Sequence, residues 1–169
     1  GGSFSTTGTQ WRSAAPIPWP SVSNVAYSAA STGVLAVDQI NGYAFPNLGP
    51  LTTALLYRVG DLNVEGSFTG NGVIYCTGNL RLKDTITVSG GKLVLIAAGN
   101  VSMSKHNATI AAFVYAGGTF TSDRRDNAIT GALVCAGLDV ANNCSVTYDP
   151  YFWNTPSDRA RFKLPGSWP

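Results

Sequence analysis

"VIYCTG" at residues 73–78 is nearly rewritten four more times: "LLYRVG" at 55–60, "VLIAAG" at 94–99, "FVYAGG" at 113–118 and "ALVCAG" at 132–137. The closing glycines, Gly60, Gly78, Gly99, Gly118 and Gly137, stand 18, 21, 19 and 19 residues apart. A sustained period of this length marks a solenoid. Four residues before each glycine stand Leu56, Ile74, Leu95, Val114 and Leu133, all branched aliphatics. Two residues before come Arg58, Cys76, Ala97, Ala116 and Cys135, and between them Tyr57, Tyr75, Ile96, Tyr115 and Val134.

Alternation continues past the glycines, with Leu62 and Val64, Leu80 and Leu82, Val101 and Met103, then Phe120. Leu138 and Val140 follow Gly137 one position out of phase. Period-two alternation in short segments is the strand signal. A third segment recurs as "DTITV" (84–88), "NATI" (107–110), "NAIT" (127–130) and "CSVTY" (144–148), three of them entered through Asp or Asn, which suit a turn. Within the repeat no segment keeps a helical period for ten residues. A hairpin array would not return one side-chain class to one offset at every repeat. A parallel β-helix would, because equivalent residues of successive coils stack about 4.8 Å apart. The pattern therefore predicts an all-β chain, a single-stranded parallel β-helix of about five coils of ~19 residues with three strands each. Its hand is expected to be right, by the rule for parallel crossovers. The glycines are expected at corners that turn in a backbone conformation forbidden to a residue with a Cβ.

Both ends of such a stack need covers. Residues 1–50 lack the repeat and are expected to cap the first coil. "APIPWP" is too rich in proline for helix or central strand, and "SNVAYSAASTG" predicts a short helix near 24–32 with Ser23 or Asn24 as N-cap and Gly33 as stop. Residues 51–150 form the β-helix, and 151–169 an aromatic tail over the last coil. Trp11 and Trp19 at one end, and Tyr151, Phe152, Trp153 and Trp168 at the other, are read as lids, with contact to a partner or a glycan as the functional alternative.

Composition narrows the function. Only 12% of residues are charged and the net charge is +2, which gives no electrostatic case for nucleic acid or an anionic membrane. The longest purely apolar run, tyrosine set aside, is Leu93–Ala98 with six residues, against the ~20 of a membrane span. Any membrane attachment would use a segment outside this sequence. The three cysteines, Cys76, Cys135 and Cys144, have no metal-ligand spacing and read as small buried side chains. A Cys135–Cys144 bridge stays open for an oxidising compartment.

Catalytic patterns are not evident. The single histidine, His106, lies in a polar turn without a nucleophile or carboxylate to pair with, and reads as a surface residue. Glycan-cleaving β-helices need carboxylates aligned on adjacent coils. Asp61, Glu65, Asp84, Asp123, Asp126, Asp139 and Asp149 fall at different offsets. The densest cluster, Asp123-Arg124-Arg125-Asp126, reads as a solvated turn. "TIT" at 85–87 and "TFT" at 119–121 fall on different faces, which argues against an ice-binding array. "NAT" at 107–109 and "NCS" at 143–145 match the glycosylation acceptor pattern. No catalytic, cofactor or metal residue is assigned.

The string "GNGVIYCTGNLRL…TVSGGKLVLIAAGNVSM…ATIAAFVYAGG…ITGALVCAGLDV…SVTYDP" resembles the β-helical C-terminal region of bacterial type IV pilus assembly proteins, the PilX-type, minor-pilin-like group. The coil signature, the Tyr148-Asp149-Pro150 ending and the upstream "PIPWPSVSNVAYSAAS" carry the resemblance, which covers roughly residues 14–150. Bactofilins, cytoskeletal β-helices that polymerise end to end, are the second choice. The resemblance implies a non-catalytic structural or adhesive module at a bacterial cell surface or outside the cell, associated with a pilus or similar filament. Its partners would be filament proteins, further copies of itself, or surface glycans, with no cofactor. The hydrophobic pilin helix of that group has no counterpart here, and its place would be upstream of Gly1. The alternatives are a β-helix polymer stacking through its ends and a carbohydrate-active β-helix enzyme.

Overall fold

The computed structural model describes residues 23–49 and 53–149. They contain one helix, α1 (Asn24–Ala30), and eleven strands: β1 (Gly33–Val34), β2 (Gln39–Ala44), β3 (Ala54–Arg58), β4 (Leu62–Thr69), β5 (Gly72–Cys76), β6 (Leu80–Ser89), β7 (Leu93–Ala97), β8 (Val101–Met103), β9 (Thr109–Ser122), β10 (Asn127–Val140) and β11 (Cys144–Tyr148). Every strand pairing is parallel and joins one coil to the next. The result is a β-solenoid of about six turns with three faces. The first face runs through β1, β3, β5, β7 and the middle of β9 and β10. The second takes the starts of β2, β4 and β6, then β8 and the ends of β9 and β10. The third takes the ends of β2, β4 and β6, the starts of β9 and β10, and β11.

The register is the one the repeat requires. Leu56, Ile74, Leu95, Val114 and Leu133 are successive Cα partners on the first face. Leu62, Leu80, Val101, Phe120 and Leu138 are partners on the second. Ile86, Ile110, Ile129 and Val146 are partners on the third. These columns meet in one core, in which Leu62, Ile74, Leu80, Leu82, Ile86, Leu95, Ile110, Val114, Phe120 and Ile129 are all buried. Burying such side chains stabilises the fold by roughly 1.5–3 kcal/mol each.

The intervening residues of the first face point outward yet are also buried: Leu55, Tyr57, Val73, Tyr75, Val94, Ile96 and Tyr115 form a second apolar cluster with Tyr27 of α1. Tyr27 stacks on Tyr75 at 4.3 Å between ring centroids, and Tyr75 stacks on Tyr57 at 5.5 Å. The Tyr75 hydroxyl donates to Oδ1 of Asn24. Ser23 caps α1, its Oγ accepting the Ala26 N–H at 3.3 Å, and the helix ends at Ser31, whose backbone is extended, two residues before Gly33.

Three sequence expectations change. First, the solenoid begins upstream of residue 51. Gly33 and Val34 pair with Leu56 and Tyr57, and Gln39, Ile40 and Asn41 with Asn63, Val64 and Glu65, so residues 33–44 form a turn of the stack and not a separate cap. That turn raises the count from five coils to about six. Second, Leu138 and Val140 are in phase. The register between β9 and β10 slips by one residue after Cys135, so Gly137 pairs with Thr119, Leu138 with Phe120 and Val140 with Ser122. Third, the glycine corners have a different cause, given below.

Candidate functional site

The corner after the first face is built alike at each level. Gly78 N–H donates to Gly60 O at 3.1 Å, Gly99 N–H to Gly78 O at 3.0 Å, and Gly118 N–H to Gly99 O at 2.9 Å. The residue after each glycine adds a side-chain rung. Asp61 Oδ1 accepts the Asn79 N–H at 2.7 Å, Asn79 Oδ1 the Asn100 N–H at 3.0 Å, and Asn100 Oδ1 the Thr119 N–H at 2.8 Å. Each Asp or Asn side chain therefore curls beneath the next glycine. A Cβ on Gly99 would lie 2.7 Å from Asn79 Oδ1 and 2.9 Å from Gly78 O. On Gly78 it would lie 2.7 Å from the Gly60 carbonyl carbon. Among the five anchor glycines only Gly60 has a left-handed φ, +93°. Close approach of two coils, and not a forbidden φ, fixes glycine at 78, 99 and 118.

The next corner collects the charged and polar side chains. Lys105 forms an ion pair with Asp84, which also accepts the Thr85 N–H at 2.6 Å. Asp123 lies 3.8 Å from Arg124. His106 is exposed and its Nδ1 accepts the Arg125 N–H at 3.2 Å. Asn143 donates to Asp126 Oδ1 at 3.2 Å, and Asn142 to Asp123 O at 2.8 Å. The hydrogen bond from Lys105, with help from the Thr85 N–H, holds the Asp84 carboxyl below the usual range. A general acid for glycoside cleavage needs the opposite shift. Asn107 and Asp126 turn this corner at φ +55° and +58°. Both acceptor-pattern asparagines, Asn107 and Asn143, are exposed here.

Among the described residues two polar ones are buried inside the stack, Ser122 and Asn127. Asn127 donates to Ser122 Oγ at 3.1 Å and accepts the Ala108 N–H at 3.0 Å, so both ends of its amide are engaged. Cys76, Cys135 and Cys144 are free thiols. Burial pushes the Cys76 thiol up to about 12, and it also raises Cys135 and Cys144, which keeps all three protonated at neutral pH. Among the described residues no three His, Cys, Asp or Glu side chains gather to hold a metal ion, and no helix is long and apolar enough to cross a membrane.

The third face shows what the sequence concealed. With Ile86, Ile110, Ile129 and Val146 stacked in register, their outward neighbours fall into two columns. Thr85, Thr109, Ala128 and Ser145 make one, and Thr87, Ala111, Thr130 and Thr147 the other. It is an uncharged surface of hydroxyls and methyls. "TFT" at 119–121 lies on the second face, apart from "TIT", as expected.

The two ends differ. At the N-terminal end Phe45 is buried, packs on Phe68 at 6.2 Å between ring centroids, and lies against Gly72 where a Cβ would overlap its ring. In the last coil of the described residues Leu138 is 51% exposed, Val146 41% and Tyr148 61%. The aromatic candidates Trp11, Trp19, Tyr151, Phe152, Trp153 and Trp168 lie outside the described residues.

Fold and corners together make this chain a parallel β-solenoid whose polar groups serve coil-to-coil bonding. A family model described as "Domain of unknown function (DUF7305)" matches residues 55–155, a span running from β3 through β11, and the chain belongs to that family. No curated protein and no solved structure matches it.

Proposed function

We propose that the chain is a non-catalytic structural module of a bacterial cell surface, associated with a pilus or similar extracellular filament and working through protein contacts at its ends and sides. One observation carries this reading: the hydrogen-bonding groups of the corners are spent on joining coils. Asp61, Asn79 and Asn100 each hold the next coil's backbone, and the charged corner residues Asp84 and Lys105 hold each other. Such investment yields a rigid spacer, while a catalytic groove keeps polar groups free to meet substrate. The test is cosedimentation of the purified chain with surface filaments sheared from its source cells. Saturable pelleting supports the reading. Filament-independent behaviour together with release of reducing sugar from a polysaccharide panel would replace it with the enzyme reading.

The exposed end at Leu138, Val146 and Tyr148 favours one second reading, a polymer stacking end to end. Filaments that grow with protein concentration under negative-stain microscopy would support it.

A further inference from the structure

The acceptor pattern Asn-x-Ser/Thr falls on three corners of the solenoid: Asn100-Val101-Ser102, Asn107-Ala108-Thr109 and Asn143-Cys144-Ser145. The fold treats the three asparagines differently. Asn100 is a rung of the glycine corner. Its Oδ1 accepts the Thr119 N–H at 2.8 Å, and a Cβ on Gly118 would lie 2.3 Å from that oxygen, so the amide is wedged between coils. Asn143 is exposed, but its Nδ2 donates to Asp126 Oδ1 at 3.2 Å. Asn107 stands in the same corner column as Asn143, two coils earlier, since Thr109, Ala128 and Ser145 are successive partners. The backbone at Asn107 is gripped by the next coil. Its N–H donates to Arg125 O at 3.0 Å, and the Ala108 N–H donates to Asn127 Oδ1 at 3.0 Å. A φ of +55° carries Asn107 through the turn. Ala108 is buried, while Asn107 and Thr109 on either side of it are exposed. Among the described residues nothing engages the Asn107 side-chain amide.

We infer that Asn107 is an N-glycosylation site of the folded chain, which takes its sugar from a lipid-phosphate-linked donor on an oligosaccharide transferase. The inference rests on the surface reading, because this modification belongs to chains outside the cytoplasm. In the step, Asn107 Nδ2 forms a bond to the anomeric carbon of the donor sugar. The bond from that carbon to the lipid phosphate breaks, and the phosphate leaves with the electron pair. One amide proton passes to a base of the transferase. The reacting atom is the amide nitrogen, so it must be open to the enzyme, and the hydroxyl two residues on must be open as well. Of the three corners only that of Asn107 offers both. The Asn143 nitrogen is held by a carboxylate. Asn100 would have to leave its coil joint, and its hydroxyl partner Ser102 is half-buried. At Asn107 the backbone bonds that fix the turn leave the side chain out of them, so a bulky polar group can be added without opening the stack.

Peptide mapping of the chain purified from its source cells tests this. Trypsin separates the three asparagines, placing Asn100 in residues 93–105, Asn107 in residues 106–124 and Asn143 in the peptide that starts at Asp126. Mass spectrometry with fragmentation that leaves the glycan attached is expected to find sugar on Asn107 and none on Asn100 or Asn143. An unmodified 106–124 peptide overturns the inference. Sugar on Asn100 or Asn143 also overturns it, because the pattern alone, and not the fold, would then select the site. A Thr109→Ala chain made in the same cells should lose the modification, and Thr109→Ser should keep it. Persistence in Thr109→Ala overturns the inference, and circular dichroism of both variants checks that they fold. Protease shaving of intact cells is read separately. A chain that is shaved yet carries no sugar sinks the site and leaves the surface reading standing, whereas a chain inaccessible to the protease counts against the surface reading itself.

Discussion

Asn79 holds the backbone N–H of Asn100, one coil on, through its side-chain Oδ1 at 3.0 Å, and Gly99 leaves the space in which that bond forms. The two residues act as one joint. Gly99→Val is expected to destabilise the fold by about 1–3 kcal/mol, because its side chain collides with Asn79 Oδ1 and with Gly78 O. Asn79→Ala should cost about 1 kcal/mol on its own, the net worth of one hydrogen bond. Urea titration of both variants checks this. An unchanged midpoint for Gly99→Val would show that the coils are further apart at this corner than described.

Leu95 stands between Ile74 and Val114 in a continuous aliphatic column and is fully buried. Leu95→Asp is expected to abolish folding, since the carboxylate would find no partner among aliphatic side chains. Leu95→Ala should cost about 2–5 kcal/mol. Circular dichroism and solubility of the two variants test the column. A cooperative melt from Leu95→Asp would place this side chain on the outside.

The contact between Phe45 and Gly72 makes a paired prediction. Gly72→Val puts a side chain where the Phe45 ring lies, and should destabilise by about 1–3 kcal/mol. Adding Phe45→Ala should recover part of that loss. A double-mutant cycle in urea measures the coupling, and strict additivity would mean that the ring does not sit on Gly72.

Alkaline pH should weaken the fold. Burial, aided by the nearby Asp61 charge, raises the Cys76 thiol from 9.0 to about 12. Burial also raises the Tyr75 phenol from 10.0 to about 12, with Tyr57 contributing. Between the ordinary values and 12 the unfolded chain holds fewer protons than the folded one, so stability falls as pH rises. The contribution is fully present below about pH 9 and declines by up to about 1.4 kcal/mol per pH unit for each ionising group. Urea midpoints at pH 8, 10 and 11 measure the slope, and Cys76→Ala should delay its onset. A flat profile would refute the burial of both groups.

Much of this architecture was legible because a parallel stack forces repetition. The columns of Leu56, Ile74, Leu95, Val114 and Leu133 are found where the repeat put them, and so are the third-face strands at 84–88, 107–110, 127–130 and 144–148. The first turn escaped because no glycine closes the stretch around Val37 and Asp38, so its pairing with β3 and β4 left no matching signature. The role of the glycines was half legible. A sequence shows that a Cβ is excluded but does not separate a left-handed φ from a neighbouring chain. Only the stacking of Asn79 against Gly99 does that. Alanines at 111 and 128 broke the Thr pattern of the third face, although a methyl and a hydroxyl fill the same small outward positions. The aromatic residues chosen as contacts, from Trp11 to Trp168, fall beyond the described residues, so the candidate site was the least legible part.

The corner joint reaches one coil in each direction and no further, from Asp61 to Asn79, from Asn79 to Asn100 and from Asn100 to Thr119. Length is therefore separable from fold. A coil inserted with its own glycine and asparagine would find the same partners above and below, and would lengthen the rod by about 4.8 Å without disturbing either end. A solenoid joined in this way can thus change its length by gaining or losing coils of about twenty residues, with each coil bonded only to its neighbours.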